Sequence, residues 1–586
     1  MEQWFVINKK ADFKSIGKKH GIDQVTARVI RNRDVIEEEE IHLFLKGGLD
    51  DLSDPHQMRD ADKLVEILSE KIDRQLPIRI IGDYDIDGVM ATHILLTALQ
   101  RTGAIVSAAI PDRIRDGYGL NENLITLAKE DHIDTILTCD NGISAIDEIA
   151  YAKDCGMTVL VTDHHEIPYR EEEGQRRYLT SRADAIVNPH QKECRYPFKN
   201  LCGAAIAWKI ICLLYEKRNI PKEEAESFLE NVALATVGDV MELIGENRIL
   251  VREGIKKIHH TKNIGMKALI SQCGLNPKDI DAYHFGFVLG PCINASGRLD
   301  TARRALKLFS QTKEAEALIL ANELVVLNME RKDLTAKGVE EAILAYEKNS
   351  YEKDSVIVLY LPQVHESIAG IIAGRIREKY YKPTFVLTKA EDGVKGSGRS
   401  VEEYSMYEQM SKCQELFTRF GGHPMAAGLS LPEENVETFR KRINELCPKE
   451  CRNLIAKVKI DVPMPCDYVT PQLVRELEIL APFGKGNPRP IFADKNLKLE
   501  RLWLVGKNQN VLRLHLRTAG GKKIDGIYFG DVPSVLSYLE EKYGAKEVEK
   551  AKEGKTNQIY LSIVYYPKIN LFRETETLQF EIKYYQ

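Results

Sequence analysis

Short apolar runs alternate with stretches of helical periodicity between residues 78 and 190. The runs are rich in β-branched residues and read IRII (78–81), TILTC (135–139), TVLVT (158–162) and AIV (185–187). Amphipathic stretches such as GVMATHILLTALQRTG separate them. Alternation of this kind is typical of α/β proteins, in which helices cover both faces of a mostly parallel sheet. The pattern therefore predicts a doubly wound α/β domain.

The pattern changes twice beyond this region. Helical periodicity dominates from residue 203 onward, and the length of its last stretch (312–349) predicts a helix that connects two domains. A second α/β unit begins at SVIVLYL (355–361) and ends with a charged helix near residue 447. Beyond residue 455, apolar residues recur at every second position in runs such as LKLERLWLV, VLRLHLR and LQFEIKYY. Such alternation between turn signals predicts an all-β module, here a small barrel.

The composition narrows the range of partners and compartments. The 586-residue chain is too long for a single hydrophobic core and should fold into several domains. Its 82 basic and 87 acidic residues give a net charge of −5, so nucleic-acid affinity requires a local basic surface. The eleven cysteines show no zinc-binding spacing, since the nearest candidate, Cys447 with Cys451, lacks a second pair. Neither a secretory pattern nor an apolar run near the roughly 18 residues of a membrane span occurs, and we expect a cytoplasmic protein without membrane contact.

Acidic and imidazole side chains follow three of the predicted strands, and one more follows an apolar helical run. They are Asp83, Asp85 and Asp87 after IRII, Asp140 after TILTC, Asp163, His164 and His165 after TVLVT, and Asp239 after the helical run. Because the carboxyl ends of parallel strands meet at one edge of a sheet, we expect the side chains after the strands to lie close together.

A cluster of like charges needs compensation. Unpaired, it would cost several kcal/mol or shift its pKa values until some groups became neutral. Carboxylates with one or two imidazoles suit Mn²⁺ or Mg²⁺, and a bridging aspartate can hold two ions roughly 3.5–4 Å apart. A single aspartate after a strand is more often a helix cap or turn residue. Four such features in sequence order instead favour a two-metal site for phosphoryl hydrolysis.

Several motifs resemble those of a known family. GDYDIDG, CDNG, TDHHE and VGDV are similar to the four motifs of the DHH phosphoesterase superfamily. INASGRL (293–299), HESIAGIIAGRI, SGRS (397–400), FGGHPMAAG (420–428) and PFGKGNPRPIF (482–492) narrow the resemblance to the RecJ family of bacterial single-strand-specific exonucleases. The motifs span nearly the whole chain in the order of the family.

The resemblance implies an architecture with defined segments. We expect a DHH phosphoesterase domain with an N-terminal extension (1–311), a connecting helix (312–349), a DHH-associated substrate-binding domain (350–447) and an OB-like nucleic-acid-binding domain (448–586). In the last segment, Tyr528, Phe529, Tyr565 and Tyr566 lie among basic residues and are candidates for stacking on bases, although some of these rings must pack the barrel core.

The resemblance also implies roles for individual residues. At the metals, Asp85 and Asp87 would each hold one ion, Asp83 would be a ligand or a close partner, Asp140 would bridge, His164 and Asp239 would complete one coordination sphere, His165 would face the scissile phosphate, and Asp163 would orient the histidines. For the substrate, the candidates are Arg113, Arg298, His365, Ser397, Arg399, Gly421, Gly422 and His423. Glycine turns bring backbone N–H groups, and arginines bring fixed charge, close to phosphate.

The expected activity is that of a single-stranded-DNA-specific 5′→3′ exonuclease. It would hydrolyse phosphodiester bonds with two Mn²⁺ or Mg²⁺ ions, release 5′-mononucleotides and act in DNA repair and recombination. A helicase and a single-strand-binding protein are implied as partners, and a monomer is expected. Polarity and strand preference come from the resemblance, whereas the residues alone indicate only phosphoryl hydrolysis.

The chain departs from the family pattern in the substrate-binding segment. Val364 stands where relatives often carry tryptophan, Glu366 and Ser367 where they commonly have a small residue and glycine, and Gly374 where they have serine. These departures bear on end recognition or affinity, since the metal motifs are intact.

Two alternatives remain. One is a DHH phosphodiesterase acting on short oligonucleotides or cyclic dinucleotides, although such enzymes generally lack the C-terminal barrel. The other is a non-catalytic DNA-binding scaffold, although scaffolds of this ancestry have lost much of the metal constellation.

Overall fold

The computed structural model describes residues 2–113, 115–172, 175–348, 351–390, 393–572 and 575–586. They divide into two units. The first unit consists of Leu52–Met241 and Ile249–Ala456, and the second of Glu2–Asp51, Glu242–Arg248 and Lys457–Gln586. No helix among the described residues is long and apolar enough to span a bilayer.

The N-terminal segment belongs to the second unit. Its elements are β1 (Gln3–Val6), α1 (Phe13–His20), α2 (Gln24–Asn32) and α3 (Glu38–Lys46). Asp12 and Asp23 precede the first two helices, and the carboxylate of each accepts a hydrogen bond from a backbone N–H of the first turn. These N-caps fix where the helices begin.

A five-stranded parallel sheet opens the first unit. Its region contains α4 (Ala61–Asp73), β2 (Ile78–Ile81), α5 (Ile86–Arg101), β3 (Val106–Ala109), α6 (Glu122–Glu130), β4 (Thr135–Cys139), α7 (Ile146–Asp154), β5 (Thr158–Thr162), the hairpin strands β6 (Tyr169–Glu172) and β7 (Gln175–Tyr178), and β8 (Ala185–Val187). The strand order is β3-β2-β4-β5-β8, with all neighbours parallel. The prediction of a mostly parallel sheet is therefore confirmed. The edge strand β3 was not among the predicted strands.

Helices occupy the chain from residue 203 to 348. They are α8 (Gly203–Lys217), α9 (Lys222–Glu226), α10 (Leu229–Gly238), α11 (Gly245–Ile258), α12 (Ile264–Gln272), α13 (Ala282–His284), a π-helical turn (Phe285–Leu289), α14 (Gly290–Leu299), α15 (Arg303–Phe309) and α16 (Glu314–Lys348). The 35-residue helix α16 confirms the predicted long helix.

A second five-stranded sheet completes the first unit. Its elements are β9 (Ile357–Tyr360), α17 (Ala369–Tyr380), β10 (Thr384–Ala390), β11 (Gly393–Arg399), α18 (Met406–Ser411), β12 (Arg419–His423), β13 (Ala426–Leu431) and α19 (Val436–Glu445). The order is β12-β13-β11-β10-β9, and only β9 and β10 are parallel neighbours. The predicted second α/β domain is present, with a mainly antiparallel sheet.

The C-terminal part of the second unit is built around a barrel. Its elements are β14 (Lys457–Ile460), α20 (Pro471–Leu477), β15 (Phe492–Val505), β16 (Val511–Arg517), β17 (Lys523–Tyr528), α21 (Val532–Tyr543), α22 (Ala545–Lys552), β18 (Tyr560–Phe572) and β19 (Thr575–Tyr585). The closed order β15-β16-β17-β19-β18 confirms the predicted small barrel. The helices α21 and α22 interrupt what the sequence pattern presented as a purely β module.

Two of the four aromatic residues proposed for base stacking are core residues. Tyr565 and Tyr566 are fully buried, and their hydroxyl groups donate to Met464 O at 2.8 Å and to Glu478 Oε1 at 2.9 Å. The stacking role is therefore wrong for these two tyrosines. Phe529 is 58% exposed and Tyr528 is partly buried, so that only this pair keeps an accessible ring surface.

The two units do not coincide with the four predicted segments, since Glu2–Asp51 and Glu242–Arg248 lie in the second unit and residues 448–456 in the first. Glu2–Asp51 belongs to the unit that contains the barrel. Strand β1 explains this placement, because it pairs in parallel with β14 from Gln3 opposite Lys457 to Val6 opposite Ile460. The boundaries of the four predicted segments stay predictions.

Candidate functional site

Strands β2, β4 and β5 end at the same edge of the first sheet. Ile81 lies opposite Thr138, and Cys139 lies opposite Thr162, so the residues that follow these strands are brought side by side. Asn141 ties two of the strand ends together, since its Nδ2 donates to Ile81 O at 3.0 Å and to Cys139 O at 2.9 Å. This edge gathers the acidic residues that the sequence placed after the strands.

Two of the aspartates lie at helix N-termini. One carboxylate oxygen of Asp85 caps α5 by accepting hydrogen bonds from the N–H groups of Asp87 (2.9 Å) and Gly88 (3.2 Å). The carboxylate of Asp87 accepts from the N–H groups of Gly203 (2.6 Å) and Ala204 (2.8 Å) at the start of α8. Free N–H groups and the positive end of the helix dipole stabilise such carboxylates in place.

Asp140 is held by a close approach of α8. Its φ of +62° lies in the left-handed region, which aspartate and asparagine tolerate better than most residues. A Cβ atom on Gly203 would lie 2.7 Å from the Cβ of Asp140. Glycine at the start of α8 is thus required for Asp140 and Asp87 to lie side by side. The Tyr118 hydroxyl donates to the Asp140 carbonyl at 2.8 Å and fixes it from the other side.

Asp163 organises the two histidines. Its Oδ1 accepts from the His164 N–H (2.7 Å) and lies 2.8 Å from His165 Nδ1, while Oδ2 accepts from the Ile143 N–H at 2.8 Å. Burial works against the charged carboxylate, but the contact with His165 lowers the pKa of Asp163 below its usual range. The role predicted for Asp163, orienting the histidines, requires contacts of this kind and stays a prediction.

The ligand atoms of seven of these residues come within 4.8 Å of one another in three overlapping groups. The groups are Asp83 with Asp85 and Asp140, Asp87 with His164 and Asp239, and Asp140 with His164 and His165. The His164 Nε2 atom lies 3.0 Å from Asp140 Oδ1, 3.6 Å from Asp87 Oδ2 and 3.9 Å from Asp239 Oδ2. Asp140 and His164 therefore each belong to two groups.

Burial and mutual repulsion raise the pKa values of aspartates in the cluster. Burial and the charge of Asp85 raise the pKa of Asp83 to about 8, and burial together with Asp87 raises the pKa of Asp140 well above its usual range. The buried Oδ1 of Asp83 has no hydrogen-bond partner among the described residues. Asp140 Oδ1 likewise makes no hydrogen bond of good geometry, despite its proximity to His164.

Divalent cations fit this donor set. Hard carboxylate oxygens with an imidazole nitrogen are the ligands that Mn²⁺ and Mg²⁺ accept. A cation would also interact with the Oδ1 atoms of Asp83 and Asp140, which have no hydrogen-bond partner among the described residues. Its charge would also reverse the repulsion that raises the pKa values of Asp83 and Asp140.

His165 differs from its neighbour in exposure. Its side chain is 44% exposed, against 10% for His164. Burial opposes the charged ring, but the hydrogen bond with Asp163 raises the pKa of His165 to about 9. A cationic imidazole at an open position suits contact with a phosphate oxygen.

A cavity of about 510 Å³ lies within the same unit. Tyr84, Arg113 and Arg298 line it from the first sheet and α14, and Ser397, Arg399 and Gly421 line it from the second sheet. Five of the predicted substrate-binding residues are thus brought together here. Tyr84, which stands between two of the cluster aspartates in sequence, places the cavity next to the acidic edge.

Three arginines of this cavity carry no compensating acid. Arg298 Nη1 donates to the Ser367 carbonyl at 2.9 Å, Arg399 Nη1 donates to Ser397 Oγ at 3.1 Å, and the Arg113 guanidinium lies 4.9 Å from the Tyr84 ring centroid. None of the three forms an ion pair with a carboxylate among the described residues. Burial and the charge of Arg113 lower the pKa of Arg298 to about 10. Mutual repulsion of this kind is relieved by a bound anion.

The register of the second sheet explains the shape of the cavity. Gly421 and Gly428 lie opposite each other, and Gly428 lies opposite Ser397. A Cβ atom on either glycine would meet no atom within 4 Å. Glycine therefore leaves the sheet surface open for a ligand beside Ser397.

The remaining predicted substrate residues lie outside this cavity. His365 lines an adjoining cavity of about 310 Å³ together with Arg113 and Arg298. Gly422 and His423 line neither of these two cavities and continue the exposed strand β12. Their role in binding substrate stays a prediction.

Several residues of the site were not singled out from the sequence. They are Tyr84, Tyr118, Gly203, Lys395 and Arg419, which either line the cavity or support the acidic cluster. Tyr84 lies inside the quoted motif GDYDIDG, and Arg419 immediately precedes FGGHPMAAG, so proximity to a motif was the available signal. Lys395 lies two residues before SGRS, on the same face of β11 as Ser397, so the same signal was available for it.

The fold and the acidic edge define the class of metal-dependent phosphoesterases. Family models match three parts of the chain: the DHH family, N-terminal domain (residues 77–236), the DHHA1 domain (353–449) and the RecJ OB domain (460–584). Their order confirms the predicted DHH, DHH-associated and OB-like architecture.

Curated relatives resolve the family. The chain is 32% identical over 574 residues to the single-stranded-DNA-specific exonuclease RecJ of Escherichia coli, covering 94% of each chain. It is 33% identical over 508 residues to the RecJ exonuclease of Bacillus subtilis, covering 86% of this chain and 63% of that relative. The chain belongs to the RecJ family of exonucleases.

Solved structures agree with this assignment. RecJ of Thermus thermophilus in complex with Mn²⁺ shares the fold with a TM-score of 0.81 at 24% identity, covering 100% of this chain and 79% of that chain. An exonuclease RecJ bound to manganese matches with a TM-score of 0.58 at 29% identity, covering 68% of this chain and 97% of that chain.

Proposed function

We propose that the protein is a single-stranded-DNA-specific exonuclease that degrades strands in the 5′→3′ direction and releases 5′-mononucleotides. One observation carries the proposal: the acidic edge, with two orphaned buried oxygens, lies next to a cavity of uncompensated arginines in the same unit. The first feature suits cations that act on phosphodiesters, and the second suits the phosphates of a strand end. Membership of the RecJ family supports the substrate and the polarity.

The ligand roles follow from the three groups of side chains. Asp83, Asp85 and Asp140 would hold one Mn²⁺ or Mg²⁺ ion, and Asp87, Asp140, His164 and Asp239 would hold the second, with Asp140 shared. When bound, such a pair stabilises the charge on phosphate oxygens during in-line displacement and assists attack by water.

The remaining polar residues at the acidic edge orient the proposed ligands and neutralise negative charge. Asp163 holds His164 in its orientation through the backbone N–H and accepts from the ring of His165. His165, kept cationic by that contact, is placed to donate to a phosphate oxygen of the strand. Tyr118 and Gly203 keep Asp140 in place, as described above.

Binding of the strand end falls to the arginine cavity. Arg298 and Arg399 are fixed by hydrogen bonds to Ser367 and Ser397, so little conformational freedom is lost when they bind a phosphate. Holding the terminal phosphate at a fixed place beside the acidic edge would bring an adjacent phosphodiester to the metals. This positioning accounts for cleavage from the end rather than within the strand.

The broader roles rest on family membership. We propose action in DNA repair and recombination, a cytoplasmic location, a monomeric state, and cooperation with a helicase and a single-strand-binding protein. The exposed ring of Phe529 in the OB-like barrel is the remaining candidate for stacking on bases.

The proposal is tested with a long single strand that carries a label at either end. With Mn²⁺, the 5′ label should appear at once as a mononucleotide, whereas the 3′-labelled strand should shorten as a ladder. The chelated protein should cut neither, and a duplex should resist. Asp131→Asn is a control for substitutions at the acidic edge. It removes an exposed carboxylate that pairs with Arg79 at 2.8 Å in the same unit, and it should behave as the unmodified protein.

Two other results would contradict the proposal. Cleavage of a dinucleotide but not of the long strand would assign the protein to the phosphodiesterases of short oligonucleotides. Tight binding of the long strand without cleavage in either metal would make it a scaffold.

A further inference from the structure

Glu366 is the one acidic residue among the described residues that line the arginine cavity. It belongs to a 3-10 turn, Glu366–Ile368, that precedes α17. The other charged residues of the lining are Arg113, Arg298, Lys395, Arg399 and Arg419. A carboxylate among five cations at an anion site needs an explanation, because it repels the ligand that the cations attract.

The position of Glu366 is fixed by its neighbours. His365 begins the turn, with its Nδ1 2.7 Å from Ser367 Oγ, and the carbonyl of Ser367 accepts from Arg298 Nη1 at 2.9 Å. The turn is therefore tied to a cavity arginine on its inner side. Glu366 is held at the wall and is not a mobile surface acid.

The partner of Glu366 is Lys395, whose Nζ lies 3.0 Å from Glu366 Oε2. In β11, Lys395, Ser397 and Arg399 alternate along one face, while Val394 and Gly398 are buried on the other. Lys395 is thus the third polar side chain in the row that supplies the phosphate-binding Ser397 and Arg399. The lysine side chain is 49% exposed and the glutamate 22% exposed, so the pair is accessible to a ligand from the cavity.

Lys395 also begins a row across the sheet. Ser430 lies opposite both Lys395 and Arg419, so two cations flank one hydroxyl on the open side of the sheet. Without Glu366, this row would offer a second anion position next to the one formed by Ser397 and Arg399. With Glu366 in place, one of the two cations of the row, Lys395, is already paired with a carboxylate.

We propose that Glu366 is a specificity-determining residue that limits how strongly the cavity prefers phosphorylated strand ends. By pairing with Lys395, it withholds one cation from the terminal phosphate and adds a repulsive charge beside it. The protein therefore accepts 5′-hydroxyl ends alongside 5′-phosphate ends more evenly than its arginine content predicts. The inference rests on the proposed function, in which this cavity binds the strand end.

The test compares kcat/KM for strands with a 5′-phosphate and a 5′-hydroxyl. Glu366→Gln should raise the ratio of phosphate to hydroxyl about fivefold, because it releases Lys395 and removes the repulsion. The ratio is the quantity to compare, because a change in activity that both strands share cancels in it. Glu437→Gln is the matched control, since Glu437 pairs with Arg440 at 3.0 Å on α19 and does not line the cavity.

Lys395→Met tests whether the effect of Glu366 depends on its pairing with Lys395. In the unmodified background it should lower the ratio, because Glu366 loses its partner and its repulsion of the phosphate is unopposed. In the Glu366→Gln background it should reverse most of the roughly fivefold gain. A Glu366→Gln gain that persists in full without Lys395 would overturn the role of the pair.

Failure of the inference and failure of the proposed function give different results. If the unmodified protein cuts single strands and prefers one end group, but Glu366→Gln has an unchanged or lower ratio with an unchanged melting temperature, the role of Glu366 is refuted. If the unmodified protein cuts no single strand, or if Arg399→Ala leaves the ratio untouched, the assignment of the cavity to the strand end is wrong.

Discussion

Asp140 shows at the scale of one residue how function and stability oppose each other. Its carboxylate is buried among Asp83, Asp85 and Asp87, and one of its oxygens has no hydrogen bond among the described residues. Burial and the charges of the neighbouring aspartates raise the pKa of Asp140 well above its usual range. Such a residue lowers the stability of the metal-free protein, and the cations proposed at this edge would offset that cost.

Replacing Asp140 with asparagine should therefore have two opposite effects. Asparagine keeps the size of the side chain and tolerates the φ of +62°. Hydrolysis should fall on the order of a thousandfold, because the shared ligand is lost, while binding of a single strand persists. In a chelator, however, the melting temperature should rise, because one of the repelling charges is gone.

Thermal unfolding with and without Mn²⁺ measures the second effect. The unmodified protein should gain stability on adding Mn²⁺, and Asp140→Asn should gain much less. Asp131→Asn should gain as much as the unmodified protein. A variant that hydrolyses at near-normal rate, or that melts lower in the chelator, would refute the two-metal assignment of Asp140.

The positions of site residues were predictable where a motif follows a strand. Asp83, Asp140 and Asp163 follow three neighbouring strands, and the rule that ligands gather at carboxyl ends was enough to place them together. Glu366 and Lys395 were not predictable as a pair, because their contact depends on the pairing of β11 with β13 and on the turn before α17. Tyr565 and Tyr566 show the same limit, since alternation alone does not state which face of a barrel strand is inside.

At the scale of elements, α10 carries the clearest electrostatic conflict outside the site. Glu230 lies in its first turn, is 4% exposed and accepts a hydrogen bond from Thr261 Oγ1 at 2.6 Å. Burial raises the pKa of Glu230 to about 7. The same helix ends at Asp239, so a charge buried near its start acts on an element that supplies the site.

The sign of the pH dependence follows from this raised pKa. Below the ordinary value of 4.5 the carboxyl is neutral in both folded and unfolded chains, and its contribution to stability is complete. As the pH rises through about 7, the folded protein must either bury the charge or hold a proton that the unfolded chain has released. Stability attributable to Glu230 is thus lost between these two pH values.

Glu230→Gln should remove this loss. The glutamine oxygen still accepts from Thr261, so the free energy of unfolding at about pH 5 should change little, while at about pH 8 it should rise by about 3 kcal/mol. Urea unfolding followed through Trp208, the one tryptophan of the first unit, measures this in a Trp4→Phe, Trp503→Phe background. Glu223→Gln, on the neighbouring helix α9, should show no such difference. An equal gain at both pH values would mean that packing, and not ionisation, is responsible.

The elements themselves were largely predictable, with exceptions of two kinds. Fully buried strands such as β4 and β5 are continuous apolar runs and were located at the right residues. Strand β3 reads VSAA and lies at the sheet edge, half-buried, so it lacks that signal. Helices α21 and α22 were missed because they lie between strands of period two, where the pattern on both sides suggested more of the same.

At the scale of the whole molecule, the second unit is assembled from three distant parts of the chain. Arg248 joins them. Its Nε donates to the Phe44 carbonyl at 2.9 Å, Nη1 to Leu480 O at 2.7 Å and Nη2 to Ile479 O at 3.0 Å. The guanidinium carbon also lies 4.0 Å from the Phe44 ring centroid, and the side chain is 1% exposed. One side chain thus satisfies carbonyl groups from the N-terminal helices and from the turn before the barrel.

Arg248→Met should uncouple these parts. Methionine fills part of the volume but leaves three buried carbonyl groups without their donor, at a cost of about 4 kcal/mol. The stability of Arg248→Lys should lie between that of the unmodified protein and that of Arg248→Met. One ammonium group cannot replace the planar guanidinium as a donor to all three carbonyl groups. Unfolding followed through Trp503 in the second unit should shift to lower urea, while the transition followed through Trp208 and metal-dependent cleavage of a dinucleotide should stay as they are. If both transitions moved together, the two units would unfold as one. The separate roles of the acidic edge and the barrel would then have to be tested by binding experiments and not by stability.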